Sequence, residues 1–232
     1  MKTKITSLLG LTAVLIVLPV SASAGGYGEC AEVLGGNSSG RPHDYRDPAE
    51  KDMLDKVETN HFLPQTEQLV KGTTGPLPGD ILYTLRWFPN HYRALNSLAN
   101  FELPRGFRPD VVWDYDADCY FRRAVLFTPQ DSTIYLIWGN FLFKKKDSEG
   151  ALEKYSHAVE LSPESAEAHY DIGLLYVALE DAPNARTHAD KAYSLGYPLM
   201  GLKRKLEELE KRKGVAPTAR NTPLATGFRN KP

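Results

Sequence analysis

Side chains able to do acid–base, nucleophilic or metal chemistry are scattered along this chain rather than gathered into a motif. The six histidines include His43 beside Asp44, and His157, His169 and His188, but no pair has the i, i+4 spacing with a third ligand that a zinc site shows. No nucleophile elbow, phosphate-binding loop or dinucleotide fingerprint occurs. The carboxylates of Asp110, Asp114, Asp116 and Asp118 come nearest to a ligand set, because the last three match the opening spacing of an EF-hand calcium loop. Cys119 stands where that loop needs glycine, and Val125 where a glutamate closes the shell. These acids therefore read as the first turn of a helix. His169 reads as a packed core residue, and His91, after Pro89 and Asn90, as a helix cap. No enzyme activity, metal or cofactor is expected.

The elements that must position the remaining polar groups form a repeated unit of 34 residues, Ser132 to Ser165 and again Ala166 to Leu199. In register, Gly139 falls over Gly173, Ala151 over Ala185 and Ala158 over Ala192. Small residues at those offsets let two antiparallel helices approach closely, and Trp138, Tyr155, Ile172 and Tyr176 fill the space between. Ala117, Phe121 and Ala124 before Pro129 mark a third unit. Its first helix, roughly Tyr92 to Phe101, is set apart by an insertion, Leu103 to Trp113, that holds Pro104, Gly106 and Pro109. A degenerate unit ending at Pro89 has helices around Thr66 to Lys71 and Asp80 to Trp87.

This spacing resembles the tetratricopeptide repeat (TPR) family. At unit positions 7, 8, 20, 24, 27 and 32 the first clear unit reads Trp138, Gly139, Ala151, Tyr155, Ala158 and Pro163, and the second keeps Gly173, Tyr176, Ala185 and Ala192. It departs at Ala189, where a large aromatic is usual. The resemblance implies an all-α solenoid of about four helical hairpins over residues 65–197. A capping helix over 198–213 would turn the stripe Leu199, Leu202, Leu206 and Leu209 onto the last repeat. Residues 214–232, poor in apolar side chains, are expected to be a disordered tail. The stretches Asp44–Pro48, Val57–Pro64 and Asp80–Leu95 resemble a block of exported bacterial TPR proteins of uncharacterised role. Residues 25–64 are expected to be a partly irregular extension that packs Leu54, Val57 and Phe62 on the first hairpin.

In the family this resembles, unit positions 2, 5, 9, 12 and 13 face a concave surface. Here they are Arg93, Asn96 and Asn100, then Thr133, Leu136, Asn140, Phe143 and Lys144, then Glu167, Tyr170, Leu174, Val177 and Ala178. The amides can bond both groups of an extended peptide backbone, and the apolar members can form pockets. Arg93 and Lys144 suit a carboxylate, though they are too few for the family's peptide-terminus clamp. The alternative is that these residues only pack the inner wall, Leu174 and Val177 above all. Asn100 and Asn140 are expected to matter little to the core, so replacing both by alanine should leave melting nearly unaltered. The expected function is a non-enzymatic protein- or peptide-binding scaffold. The alternative is an accessory subunit of an envelope enzyme or of an exopolysaccharide or secretion complex.

Lys2 and Lys4 precede an apolar run, Ile5 to Val20, and Ala22, Ser23 and Ala24 follow as a small-residue cleavage site. Residues 1–24 therefore read as a secretory signal peptide. Gly10, Thr12 and Pro19 and the run's short length argue against a retained span. A periplasmic or secreted protein is expected, with no membrane span after cleavage. Two cysteines in such a compartment suggest a disulfide, Cys30 to Cys119, against the alternative of two free thiols. Closing that loop would contribute on the order of 4–5 kcal/mol in the chain-entropy model. The formal charge of −1 becomes about −3 once the leader's two lysines are gone, which gives no electrostatic case for nucleic acid. Lys144, Lys145 and Lys146 read as a solvated turn. Expression in a bacterial host should yield a chain beginning at Gly25 whose intact mass is unchanged by alkylation without reductant. A full-length chain held in the inner membrane would overturn both expectations.

Overall fold

A computed structural model describes residues 41–104 and 117–214. The leader, Cys30, most of the insertion with Asp110, Asp114 and Asp116, and residues 215–232 lie outside the described residues. All regular structure among the described residues is helical. After one 3₁₀ turn, Pro48–Glu50, come α1 (Lys51–His61), α2 (Pro64–Glu67), α3 (Leu77–Trp87), α4 (Tyr92–Glu102) and α5 (Ala117–Phe127). The two clear units follow as α6 (Ser132–Lys144) with α7 (Ser148–Leu161), and α8 (Ala166–Ala178) with α9 (Ala182–Ser194); α10 (Gly201–Lys213) ends the array.

Each helix of the clear units starts on a short polar side chain. Asp131, Asp147, Ser165 and Asp181 accept from the backbone N–H of Thr133, Gly150, Ala168 and Asn184, a cap worth about 1 kcal/mol. Each first helix stops the same way. Lys146 (φ 69°) and Glu180 (φ 58°) adopt the left-handed conformation at the same unit position. Asp147 N–H then bonds Leu142 O at 3.0 Å, and Asp181 N–H bonds Tyr176 O at 2.9 Å, the closing bond of a Schellman turn. The αL conformation costs a non-glycine residue about 1–2 kcal/mol.

The hairpins close on their glycines. A Cβ on Gly139 would lie 2.5 Å from the Tyr155 ring, so α6 and α7 meet where only hydrogen fits. At Gly173 the equivalent ring is missing, since Ala189 holds its place. Leu202 of α10 takes the space instead, 2.6 Å from where a Cβ would stand. Leu202, Leu206 and Leu209 are all but fully buried against Ala185, Ala189 and Ala192. A bidentate Arg186–Glu210 pair and the Arg212–Glu180 pair tie the helix down at its edges. Upstream, one core runs from Phe62, Ile81, Leu85 and Leu95 through Phe121 and Tyr155 to Leu175.

At the N-terminal end, residues 51–61 of the extension form a full helix, α1, whereas only Pro64–Glu67 is helical in the stretch read as Thr66 to Lys71. The chain there leaves helical geometry at Leu69 (φ 59°), and the following turn is held by Asp80, which accepts from Thr73 N, Thr74 N and Thr74 Oγ1. Residues 43–46 strap the start of α4. His43 N–H bonds Trp87 O, Asn90 Nδ2 donates to Asp44, and Arg46 pairs with Asp131. Arg123, 2% exposed, donates to Leu85 O and Arg86 O at the carbonyl end of α3, where a cation is favoured. Burial lowers its pKa to about 10, which leaves it charged at neutral pH. His169 is buried as expected. Its Nε2 faces Pro163 O at 3.0 Å and carries the proton, so its Nδ1 accepts from His188 Nδ1.

Leu202→Ala should cost about 2–5 kcal/mol in denaturant unfolding, because it opens a cavity over Gly173, and Gly139→Ala should also destabilise by forcing the Tyr155 ring aside. Lys146→Gly should stabilise by up to about 1 kcal/mol through relief of the αL conformation. A destabilised Lys146→Gly would refute the account of the turn.

Candidate functional site: the inner wall of the first helices

The first helices α4, α6 and α8 lie side by side, and polar side chains tie each to the next. Lys144 Nζ donates to Asn100 Oδ1 at 3.1 Å, joining α6 to α4. Asn140 Nδ2 donates to Asp171 Oδ2 at 3.0 Å, joining α6 to α8, while Asn140 Oδ1 accepts from the Tyr155 hydroxyl at 2.6 Å. Both ends of the Asn140 amide are thus engaged within the protein. The expectation that Asn140 contributes little to stability is corrected: removing its amide strands the Tyr155 hydroxyl and the Asp171 carboxylate, each a penalty of about 1–3 kcal/mol, whereas the Asn100 bond to Lys144 is exposed. Unit position alone did not reveal this, because the partners sit on other helices.

The two basic candidates are also occupied. The Arg93 guanidinium forks onto Glu67 at 2.8 and 2.5 Å and reaches Glu58 at 3.1 Å, with Phe62 beneath it. The Glu67 bond raises the arginine's pKa further and lowers that of Glu67. His91 adds to this knot. Its Nδ1 accepts from Ala94 N–H, so its Nε2 carries the proton and donates to Glu58. Arg93 is therefore a structural cation rather than a free carboxylate receptor.

Of the remaining expected residues, Leu136 and Tyr170 are buried; Thr133, Phe143, Leu174 and Val177 are half-buried; Asn96, Glu167 and Ala178 are exposed. The Tyr170 ring lies against that of Tyr197, 4.3 Å between centroids and tilted by 32°. Burial, then the carboxylates of Asp171 and Glu167, push the Tyr197 hydroxyl up to about 12. The open part of the wall includes Asn96, Phe143, Leu174 and Glu167. Its floor is Asp171, which the sequence reading passed over because unit position 6 is not a facing position. Burial raises the Asp171 carboxyl to about 6 despite the Asn140 bond, and Glu167 pushes the same way. On another side of the array a cleft of about 470 Å³ between α5, α6 and α7 is lined by Val125, Leu126, Tyr135, Trp138, Lys154 and His157 among others. Lys154 Nζ stands 4.3 Å from the Trp138 ring centre. Trp138 is buried in the core, as its place in the repeat led one to expect, and edges this cleft.

The helical hairpins, their glycine contacts and the capping helix define a TPR-type solenoid. Residues 139–179 match the sequence profile of the TPR repeat, and the chain carries tetratricopeptide repeats. The pilF protein of Pseudomonas aeruginosa superposes with a TM-score of 0.51 at 19% identity, over 73% of this chain and 71% of that one. MamA protein gives 0.49 at 18% identity, over 72% and 82%. Among curated proteins, the protein O-mannosyl-transferase TMTC3 of Mus musculus is 28% identical over 99 residues, 43% of this chain. The chain spans about a tenth of that relative's length.

Because the folded-state pKa of Asp171 lies above its unfolded value of about 4, the folded state binds the proton more tightly. The group therefore favours folding most below about pH 4, and stability falls as pH rises through 6, by on the order of 2 kcal/mol. Asp171→Asn should raise stability at pH 8 and flatten this slope in urea titrations. An unchanged pH profile would contradict the assignment.

Proposed function

We propose that this chain is a non-enzymatic scaffold that holds a protein or peptide partner along the inner wall of α4, α6 and α8, in the periplasm or cell envelope after removal of residues 1–24. The TPR fold supports a protein-interaction role, since its stacked hairpins offer an extended surface that small-molecule sites do not need. The observation that carries the reading is the composition of the open wall: Phe143 and Leu174 between exposed Asn96 and Glu167, over a base already locked by Asn100–Lys144 and Asn140–Asp171. A base with its hydrogen bonds made is preorganised, so a partner loses little in ordering it. Affinity then comes from apolar anchors at Phe143 and Leu174, with Asn96 bonding the partner's backbone. A Cys30–Cys119 disulfide belongs to the same proposal, as the tether of the N-terminal extension to the array.

Photo-crosslinking residues placed at Asn96, Phe143 and Glu167 should give one common adduct in the expressing cell, while the same probe at Glu153 on α7 and Thr187 on α9 should give none. Adducts confined to Glu153 and Thr187 would move the partner to the outer helices and refute the proposal.

A further inference from the structure

Charge is unevenly divided along this chain. Residues 199–232 carry nine Lys and Arg against three Glu, in a chain whose formal total is −1. Among the described residues the first two turns of α10 present three successive cations, Lys203, Arg204 and Lys205. Among the described residues no carboxylate pairs with any of them, although nearby Arg186, Lys191, Arg212 and Lys213 pair with Glu210, Glu164 and Glu180. Immediately before them stand Leu199 and Met200, 56% and 46% exposed. The turn that presents this pair is fixed: the Tyr193 hydroxyl donates to Leu199 O at 3.1 Å and accepts from Lys203 N–H at 3.0 Å.

We propose that this end of the array is a peripheral docking surface for an anionic lipid bilayer. Leu199 and Met200 enter the headgroup boundary, and Lys203, Arg204 and Lys205 meet lipid phosphates. Charge complementarity argues for this occupant, because among the described residues the three cations have no ion-pair partner to give up and the net negative charge of the rest of the chain disfavours any flatter approach. The apolar pair favours a bilayer over a polyanion such as nucleic acid, which offers no hydrocarbon to bury it. Beyond α10 the sequence adds Arg220, Arg229 and Lys231 and no acid.

The test uses the chain from Gly25, which keeps every described residue, and sedimentation with vesicles of phosphatidylcholine alone or with about 30% phosphatidylglycerol. Binding to the anionic vesicles should be at least about tenfold tighter and should fall with salt. Lys203→Glu with Arg204→Glu should abolish that preference. Leu199→Ser with Met200→Ser should weaken binding several-fold while leaving its salt dependence, and both pairs should keep the wild-type melting curve. A chain ending at Gly214 should retain the preference. Equal binding to both vesicles would overturn the proposal, as would a preference lost wholly with residues 215–232. Salt-sensitive self-association abolished by the charge reversal, without vesicle binding, would assign the surface to a second copy instead.

Discussion

The close approach of paired helices at Gly139 and Gly173 is the contact on which the rest of the array depends. With no Cβ there, α6 and α7 draw together around the Tyr155 ring, and α8 and α9 leave a slot that Leu202 enters. That separation sets where each following helix can pack. It brings Tyr155 near enough for its hydroxyl to reach Asn140, and Asn140 near enough to Asp171 to hold α8 beside α6. A polar wall bonded across helices is thus a downstream product of an apolar, steric requirement.

The same wall shows how binding capacity and stability divide one set of residues. Amides and cations at facing positions can serve a partner or tie neighbouring helices, and here most of them tie helices. Arg93 is held by Glu67 and Glu58, Lys144 by Asn100, and Asn140 by two partners at once. Such bonds fix helix spacing and leave recognition to the few side chains that remain open. Asp171 is the cost of this arrangement, a carboxylate kept by burial near its point of protonation.

The hairpin glycines, three of the four leucines of the capping stripe and the buried His169 were legible in the sequence because each is set by local spacing: a repeat offset, a leucine periodicity, a unit position; Leu199, expected in the stripe, precedes the helix and stays exposed. The partners across helices were not. Asn140 and Asp171 are 31 residues apart, and Arg93 and Glu67 are 26 apart. Nothing in either residue's neighbourhood announces the other. The N-terminal hairpin was legible only in part, because its turn chemistry rests on Asp80 gathering a loop of threonines and glycines rather than on the repeat's own signature. Ala189 was visible as a departure from the pattern, but what filled the vacancy became clear only with α10 in place.

That vacancy bears on how such an array can change length over evolutionary time. Repeat proteins grow by duplicating a unit, which needs each new unit to accept the one before it. Here the last unit lacks its own ring and is completed by a residue from outside the repeat, so a copy inserted after residue 199 would find Leu202 displaced and its predecessor's slot empty. Duplication between the two clear units, where Tyr155 already completes Gly139, meets no such obstacle. The array is thus open to lengthening from within and closed at α10, as a zip is by its stop.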